Sequence, residues 1–211
     1  MRGFLDVWKI RITDTESGRR SMTLCLYSSS PLCSAYSPTT VDGETIGGPD
    51  GANPSNVANA RVELWDRQSN HFKKRPFPDH IAAGEQILVI SGRVRSCLQQ
   101  LSICSHIRFI PATIVSFRSK RLVSKGYFLM YSTKNWDILD YERSDIFGIT
   151  GDDGQFIPLS VRRWVVRACS VPDADLFYAQ FNRWFVEQSV KVAFERSGIS
   201  GYDLSEIVMS G

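Results

Sequence analysis

The sequence predicts an α+β fold, with mixed or antiparallel sheets and two related strand-helix-strand halves. Three observations carry this expectation. Short apolar runs recur from Val7 to Met209, two segments space their apolar residues as a helix does, and a shift of 96 residues lays one of those segments on the other. With 211 residues, 43% of them apolar, the chain is long enough for one domain, 1–211, or for two fused halves, 61–125 and 126–211.

Taken in order, Val7 to Ile12 and Met22 to Tyr27 read as strands joined by a polar turn through Asp14, Glu16, Ser17 and Gly18, which predicts an N-terminal hairpin. From Ser28 to Asn59, 17 of 32 residues are Ser, Pro, Gly or Asn and none is Lys or Arg, so 28–59 is expected to be a long, mobile loop. Order resumes at Arg61 to Asp66, and Phe72 to His80 is a Pro-punctuated connection. Gln86 to Ile90 is a short apolar strand. Val94, Cys97, Leu98 and Leu101 then fall on one face of a helix that Ser91 is placed to cap. Ile107 to Ile110 and Thr113 to Phe117 are expected to be extended on either side of Pro111.

Gly126 to Tyr131 is apolar at alternate positions of both parities, the pattern of a central strand covered on two faces. Trp136 to Leu139 continues in that style, Asp152-Asp153-Gly154 signals a turn, and Ser160 to Ala168 reads as a strand. Arg183 to Val186 leads into a helix whose Val190, Ala193 and Phe194 share a face. Glu187 stands at its start, where Ser or Thr would cap better, and Gly198 is suited to end it. The 96-residue shift superposes Val89 through Cys104 on Phe185 through Ser200, so that Val94 meets Val190 and Leu98 meets Phe194.

The net charge of +3 conceals an uneven distribution. Residues 61–129 carry twelve bases and four acids, whereas residues 130–211 carry eight bases and twelve acids. Asp6 and Lys9 interrupt the first apolar run, so no signal peptide is expected, and no stretch reaches the length of a membrane helix. Five scattered cysteines fit thiols kept reduced in a cytoplasm, and Cys97 and Cys104 near His106 lack the spacing of a structural zinc site. The three histidines lie beside no nucleophile signature, and neither a phosphate-binding loop nor a dinucleotide fingerprint occurs. The sequence therefore predicts no catalytic residue, no metal and no cofactor. It predicts a binding protein.

Two charged regions are candidate surfaces. The acid-rich stretch holds Asp137, Asp140, Glu142, Asp145, Asp152 and Asp153, with Tyr141 as an aromatic anchor, and its spacing matches no calcium loop. Asp140 has a second reading, as a turn-capping residue. The basic side is Lys73, Lys74, Arg75, Arg118, Lys120, Arg121 and Lys125, which makes a nucleic-acid-binding module using 61–129 the alternative function, although no stacking aromatics are interleaved there.

Several short signatures occur in an order that resembles a family of bacterial immunity proteins from polymorphic toxin systems. They are Val7-Trp8-Lys9-Ile10, Val89-Ile90-Ser91 with its helix, Phe109-Ile110-Pro111 and Gly126-Tyr127-Phe128-Leu129-Met130. Leu139-Asp140 with Glu142 and Ser144, Pro172 to Phe177 and Gly198 to Tyr202 complete the order. The resemblance implies a cytoplasmic toxin inhibitor whose partner is a cognate toxin protein encoded by an adjacent gene. Such a protein works by affinity without turnover, and the acidic stretch is its first candidate contact.

Overall fold

The computed structural model describes residues 23–28, 38–46, 52–65, 77–83, 87–101, 103, 105–181 and 183–210. In chain order the elements are β1 (Thr23–Ser28), β2 (Thr39–Thr40), β3 (Ala60–Leu64), β4 (His80–Ala82), β5 (Leu88–Ser91), α1 (Gly92–Leu98), β6 (Ile107–Ser116) and β7 (Leu122–Ser132). There follow β8 (Asp145–Thr150), β9 (Phe156–Arg163), β10 (Val165–Arg167), β11 (Leu176–Ala179), β12 (Arg183–Glu187), α2 (Gln188–Arg196), β13 (Tyr202–Glu206) and β14 (Val208–Ser210). Strands dominate, and the class is α+β with mixed sheets.

One sheet has the order β2-β3-β6-β7-β5-β4 and another β11-β12-β1-β13, with β10-β14 and β8-β9 as separate pairs. In the first, β5 and β6 both run antiparallel to β7, and β3 runs parallel to β6. In the second, β12 and β13 both run antiparallel to β1, while β10 runs parallel to β14. β1 thus sits between two strands from the far end of the chain. Both its edges are occupied; Val7–Ile12, the first strand of the expected N-terminal hairpin, lies outside the described residues.

β7 is the central strand that its two-sided apolar pattern predicts. Tyr127, Leu129 and Tyr131 point into a core with Val62, Leu64 and Ile114, while Met130 joins a second core on the opposite face. That second core draws on both helices and both larger sheets: Leu88, Ile90, Val94 and Leu98 meet Trp184, Val186, Val190 and Phe194, each of the first four 96 positions before its counterpart. Leu101 lies past the end of α1 but still packs against this core.

Helix ends follow local chemistry. The Ser91 hydroxyl accepts from the Val94 N–H at 3.4 Å, whereas Glu187 makes no side-chain cap. Gly198 adopts φ +58 just beyond α2. The chain departs from its sequence reading elsewhere. β6 is one strand through Pro111, not two: Pro111 lies one residue before the ladder with β3 begins, at Ala60 opposite Ala112, so its missing N–H falls where β6 borders β7 alone. Trp136 to Leu139 makes single bridges to Ala179 and Val166 in place of a ladder, and the strand expected at 160–168 breaks at Trp164. Within 28–59, the described parts hold β2, a turn, and Ile46, which is buried in the β3–β6–β7 core.

The segment before β4 ties the sheets together. The Asp79 carboxylate accepts from the Ser91 hydroxyl (2.6 Å), the Arg93 guanidinium (3.3 Å) and the Ser200 N–H (3.2 Å), and Arg93 donates onward to the Ser197 and Gly198 carbonyls. The Tyr127 hydroxyl donates to the Pro78 carbonyl at 2.7 Å, and its ionisation is pushed up by burial and by Asp79. Gly201 presses on His80 so closely that a Cβ there would lie 3.1 Å from the His80 carbonyl oxygen.

Burial lowers the His80 imidazole from 6.5 to about 4, partly opposed by a backbone hydrogen bond at Gly201. Between those values the unfolded chain binds a proton that the folded chain does not. The stability from this residue is therefore full above pH 6.5 and is lost as the pH falls toward 4, by on the order of 3 kcal/mol. Urea unfolding at pH 7 and pH 4 should register this loss, and His80→Gln should reduce the difference between the two pH values.

Candidate partner-binding surface

Residues 134–167 build a platform with a projecting arm. Its base is the segment around Ile138 and Leu139, both fully buried with Trp164, Val166, Phe177 and Phe185. Backbone bonds pin it: Trp136 N–H to the Tyr178 carbonyl at 3.0 Å, Arg167 N–H to Ile138 at 2.8 Å and Asp140 N–H to Val165 at 2.8 Å. Ser144 closes the segment, its hydroxyl accepting from Val165 N–H at 3.0 Å and lying 3.1 Å from the Val165 carbonyl, to which it donates. In the Leu-Asp, acid, Ser signature, Leu139 therefore fills a core and Ser144 locks a corner.

The predicted contact residues separate into four settings. Asp137 is engaged internally, accepting from the Gln180 amide at 2.6 Å and pairing with Arg167 at 3.4 Å. Asp140 caps a turn, as its second reading anticipated: its carboxylate accepts from the Arg143 N–H at 3.2 Å and lies 3.9 Å from the Arg143 guanidinium. The Ser210 hydroxyl, ahead of Arg143, holds the Asp140 carboxyl below the usual carboxylate range. Tyr141, Glu142 and Asp145 are exposed beside the start of β8. Asp152 and Asp153 stand at the far tip of the hairpin, roughly 20 Å along a six-residue strand, where Asp153 accepts from the Gln155 N–H at 3.0 Å. The acids do not form one patch.

Between base and tip lies a feature the sequence reading missed. Phe147, Ile149, Phe156, Ile157 and Leu159 on the β8–β9 hairpin are 45–55% exposed. Ile149 stands directly opposite Ile157, and Phe147 is two residues along the same strand and thus on the same face. Phe156 lies over Gly148 from the other face, where a Cβ on Gly148 would come within 2.5 Å of the ring. Ile146 and Val161, opposite one another, pack against the Trp164–Phe185 core and anchor the arm. At its foot is a groove lined by Glu142, Arg143, Arg163, Val165, Val208, Met209 and Ser210, with Val208 and Met209 each 38% exposed. The signal was present in Ile146-Phe147-Gly148-Ile149 and Phe156-Ile157-Pro158-Leu159 on either side of Asp152-Asp153-Gly154. Apolar runs are expected in cores, and sequence alone gives no sign that these two are left uncovered.

On the basic side, Lys120 pairs with Glu63 at 2.8 Å and lies over the Phe117 ring, and Lys73, Lys74 and Arg75 are outside the described residues. Among the described residues no group of three His, Cys, Asp or Glu side chains is arranged to hold a metal, and no helix is long and apolar enough to cross a membrane.

The profile of the Immunity protein family (Imm11) matches residues 46–209, which takes in every element from β3 to β13 and the start of β14. The chain belongs to this family. No curated protein matches it. The match begins at Ile46, the first of the described residues buried in the β3–β6–β7 core, and includes the whole platform and arm of this immunity-family protein.

The arm depends on Gly148. Gly148→Ala places a methyl group against the Ile157 carbonyl as well as the Phe156 ring. It should loosen β8 from β9 and raise protease cleavage between 150 and 156 several-fold, while the thermal midpoint of the whole chain moves by only a few degrees.

Proposed function

We propose that this protein neutralises a cognate bacterial toxin by docking on it in the cytoplasm of the producing cell, without chemistry of its own. Membership of the immunity family carries the reading. The platform supports it physically: a hydrogen-bonded base displays an arm on which five large apolar side chains are about half exposed, the kind of feature that marks association sites. Such a base loses little freedom on association. The toxin is expected to be encoded beside this chain.

Of the contact residues proposed from the sequence, the best placed to face a partner are those that do not tie the base together. Asp137 and Asp140 hold the base together, which leaves Tyr141, Glu142, Asp145, Asp152 and Asp153 to face a partner.

We also infer that the chain consists of two copies of one unit, each reading strand, insert, strand, hairpin, helix, strand. Supporting this are the 96-residue spacing of matched core residues, the like order of β4-β5-β7-β6-β3 and β11-β12-β1-β13 with β14-β10, and Asp79 and Asp175. The carbonyls of these two aspartates accept from Ser91 and Glu187 at the same 2.8 Å, again 96 positions apart. The first strands, β1 and β7, would then be exchanged between copies.

Co-expression with the toxin from the neighbouring reading frame tests the functional reading: growth should be restored and the two proteins should purify together. Glu142→Lys with Asp145→Lys should slow association about tenfold at low salt, the difference closing at high salt, with the dissociation rate little changed. An unaltered association rate would remove these acids from the contact.

A further inference from the structure

Beyond its foot the β8–β9 arm exposes apolar side chains on both faces, and this decides the shape of what covers it. Phe147, Ile149 and Ile157 share one face while Phe156 lies on the other over Gly148. A flat partner, or a second copy of this chain laid arm against arm, would bury one face and leave the other wet. A concave partner buries both.

Charge identifies the lining. From Ser144 to Val161 the chain carries Asp145, Asp152 and Asp153 and no Lys or Arg, so the arm has net charge −3 within a chain of net charge +3. The tip, Gly151 to Gly154, is a tight turn closed by Gly154 N–H on the Gly151 carbonyl at 3.0 Å, with Gly154 at φ +77. It is narrow and acidic. At the other end Ile146 and Val161 fix the arm to the platform core, and Arg162 lies over the Phe147 ring at 5.1 Å, confining basic charge to the foot.

We infer that the β8–β9 hairpin is an insertion arm: it enters an apolar-walled cleft with a basic floor on the toxin, Asp152 and Asp153 leading and the five exposed apolar side chains filling the walls. Neutralisation is then by plugging, and the groove at Val208 and Met209 receives the rim of the cleft. The inference rests on the immunity reading and names the part of the molecule that performs it.

The test uses the full-length chain and, as probe, the purified catalytically inactivated toxin domain from the neighbouring reading frame, with affinities measured by calorimetry. Ile149→Asp on the arm, and the milder pair Phe147→Ala with Ile157→Ala, should each weaken binding by about 100-fold or more while the thermal midpoint holds. Asp152→Lys with Asp153→Lys should slow association, and Val41→Asp, a control at an exposed apolar residue remote in sequence from the arm, should leave affinity unchanged. If the unaltered chain binds and protects but the arm variants bind within about threefold of it, the insertion arm is wrong and the immunity reading stands. If the unaltered chain forms no complex, both fail. A doubled mass in sedimentation equilibrium that Ile149→Asp returns to monomer would assign the arm to self-association and overturn the proposal.

Discussion

Everything in this fold depends on where β1 goes. It is the first described strand, yet its hydrogen bonds are made to β12 and β13, more than 150 residues later, and its Leu26 lies opposite Trp184 in the central core. The second sheet is therefore not complete until nearly all of the chain is available. Long-range pairing of this kind has a high loop-closure cost and slows folding, but it makes the finished molecule cooperative, because neither end can leave without opening the central core. β7 has the corresponding place in the other sheet, between β5 and β6, with Met130 opposite Leu88 as Leu26 is opposite Trp184.

The same core explains why the polar groups near β4 are so fully engaged. Where α1, α2 and the two sheets converge, Asp79 is almost wholly buried and must have each oxygen satisfied; Ser91 at the end of β5, Arg93 in α1 and Ser200 in the loop after α2 do so. Arg93, largely exposed, then reaches the free carbonyls at the end of α2, which have no partners inside the helix. One buried carboxylate thereby fixes the start of one helix and the end of the other. On the opposite face of the second sheet, Phe177 and Phe185 stack at 5.5 Å beneath Ile138 and Trp164, so the platform is held by packing as well as by backbone bonds.

Periodicity made the buried parts legible. α1 and α2, their shared faces, the Ser91 cap and the two-sided burial of β7 follow from the spacing of Val94, Cys97, Leu98, Val190, Phe194 and the Tyr127–Tyr131 run, because burial selects apolar side chains at fixed intervals. Pairing was not legible. No local feature of Thr23–Ser28 states that its neighbours are β12 and β13. Pro111 misled in the same way: its effect on a strand depends on which edge is paired at that residue, and that is a tertiary fact. At the candidate surface the acids were read correctly as charged and turn-forming. What separated Asp137 and Asp140 from Glu142 and Asp145 was the presence of Gln180, Arg167, Arg143 and Ser210 beside the first two, and all of these but Arg143 come from much later in the chain.

The contrast between base and arm is the last link from structure to function. In the base, apolar side chains and carboxylates alike have partners, and the local architecture resists deformation. In the arm, five large apolar residues are about half exposed, the densest such group among the described residues. Exposing them lowers solubility and contributes nothing to the folded core, so their position is best understood through association, where the area they hide is returned as affinity. A docking element of this kind is effective only when its foot does not move, since freedom lost on binding opposes the gain. Ile146, Val161 and Ser144 supply that fixed foot, which is why residues that touch no partner would still govern how well one is held.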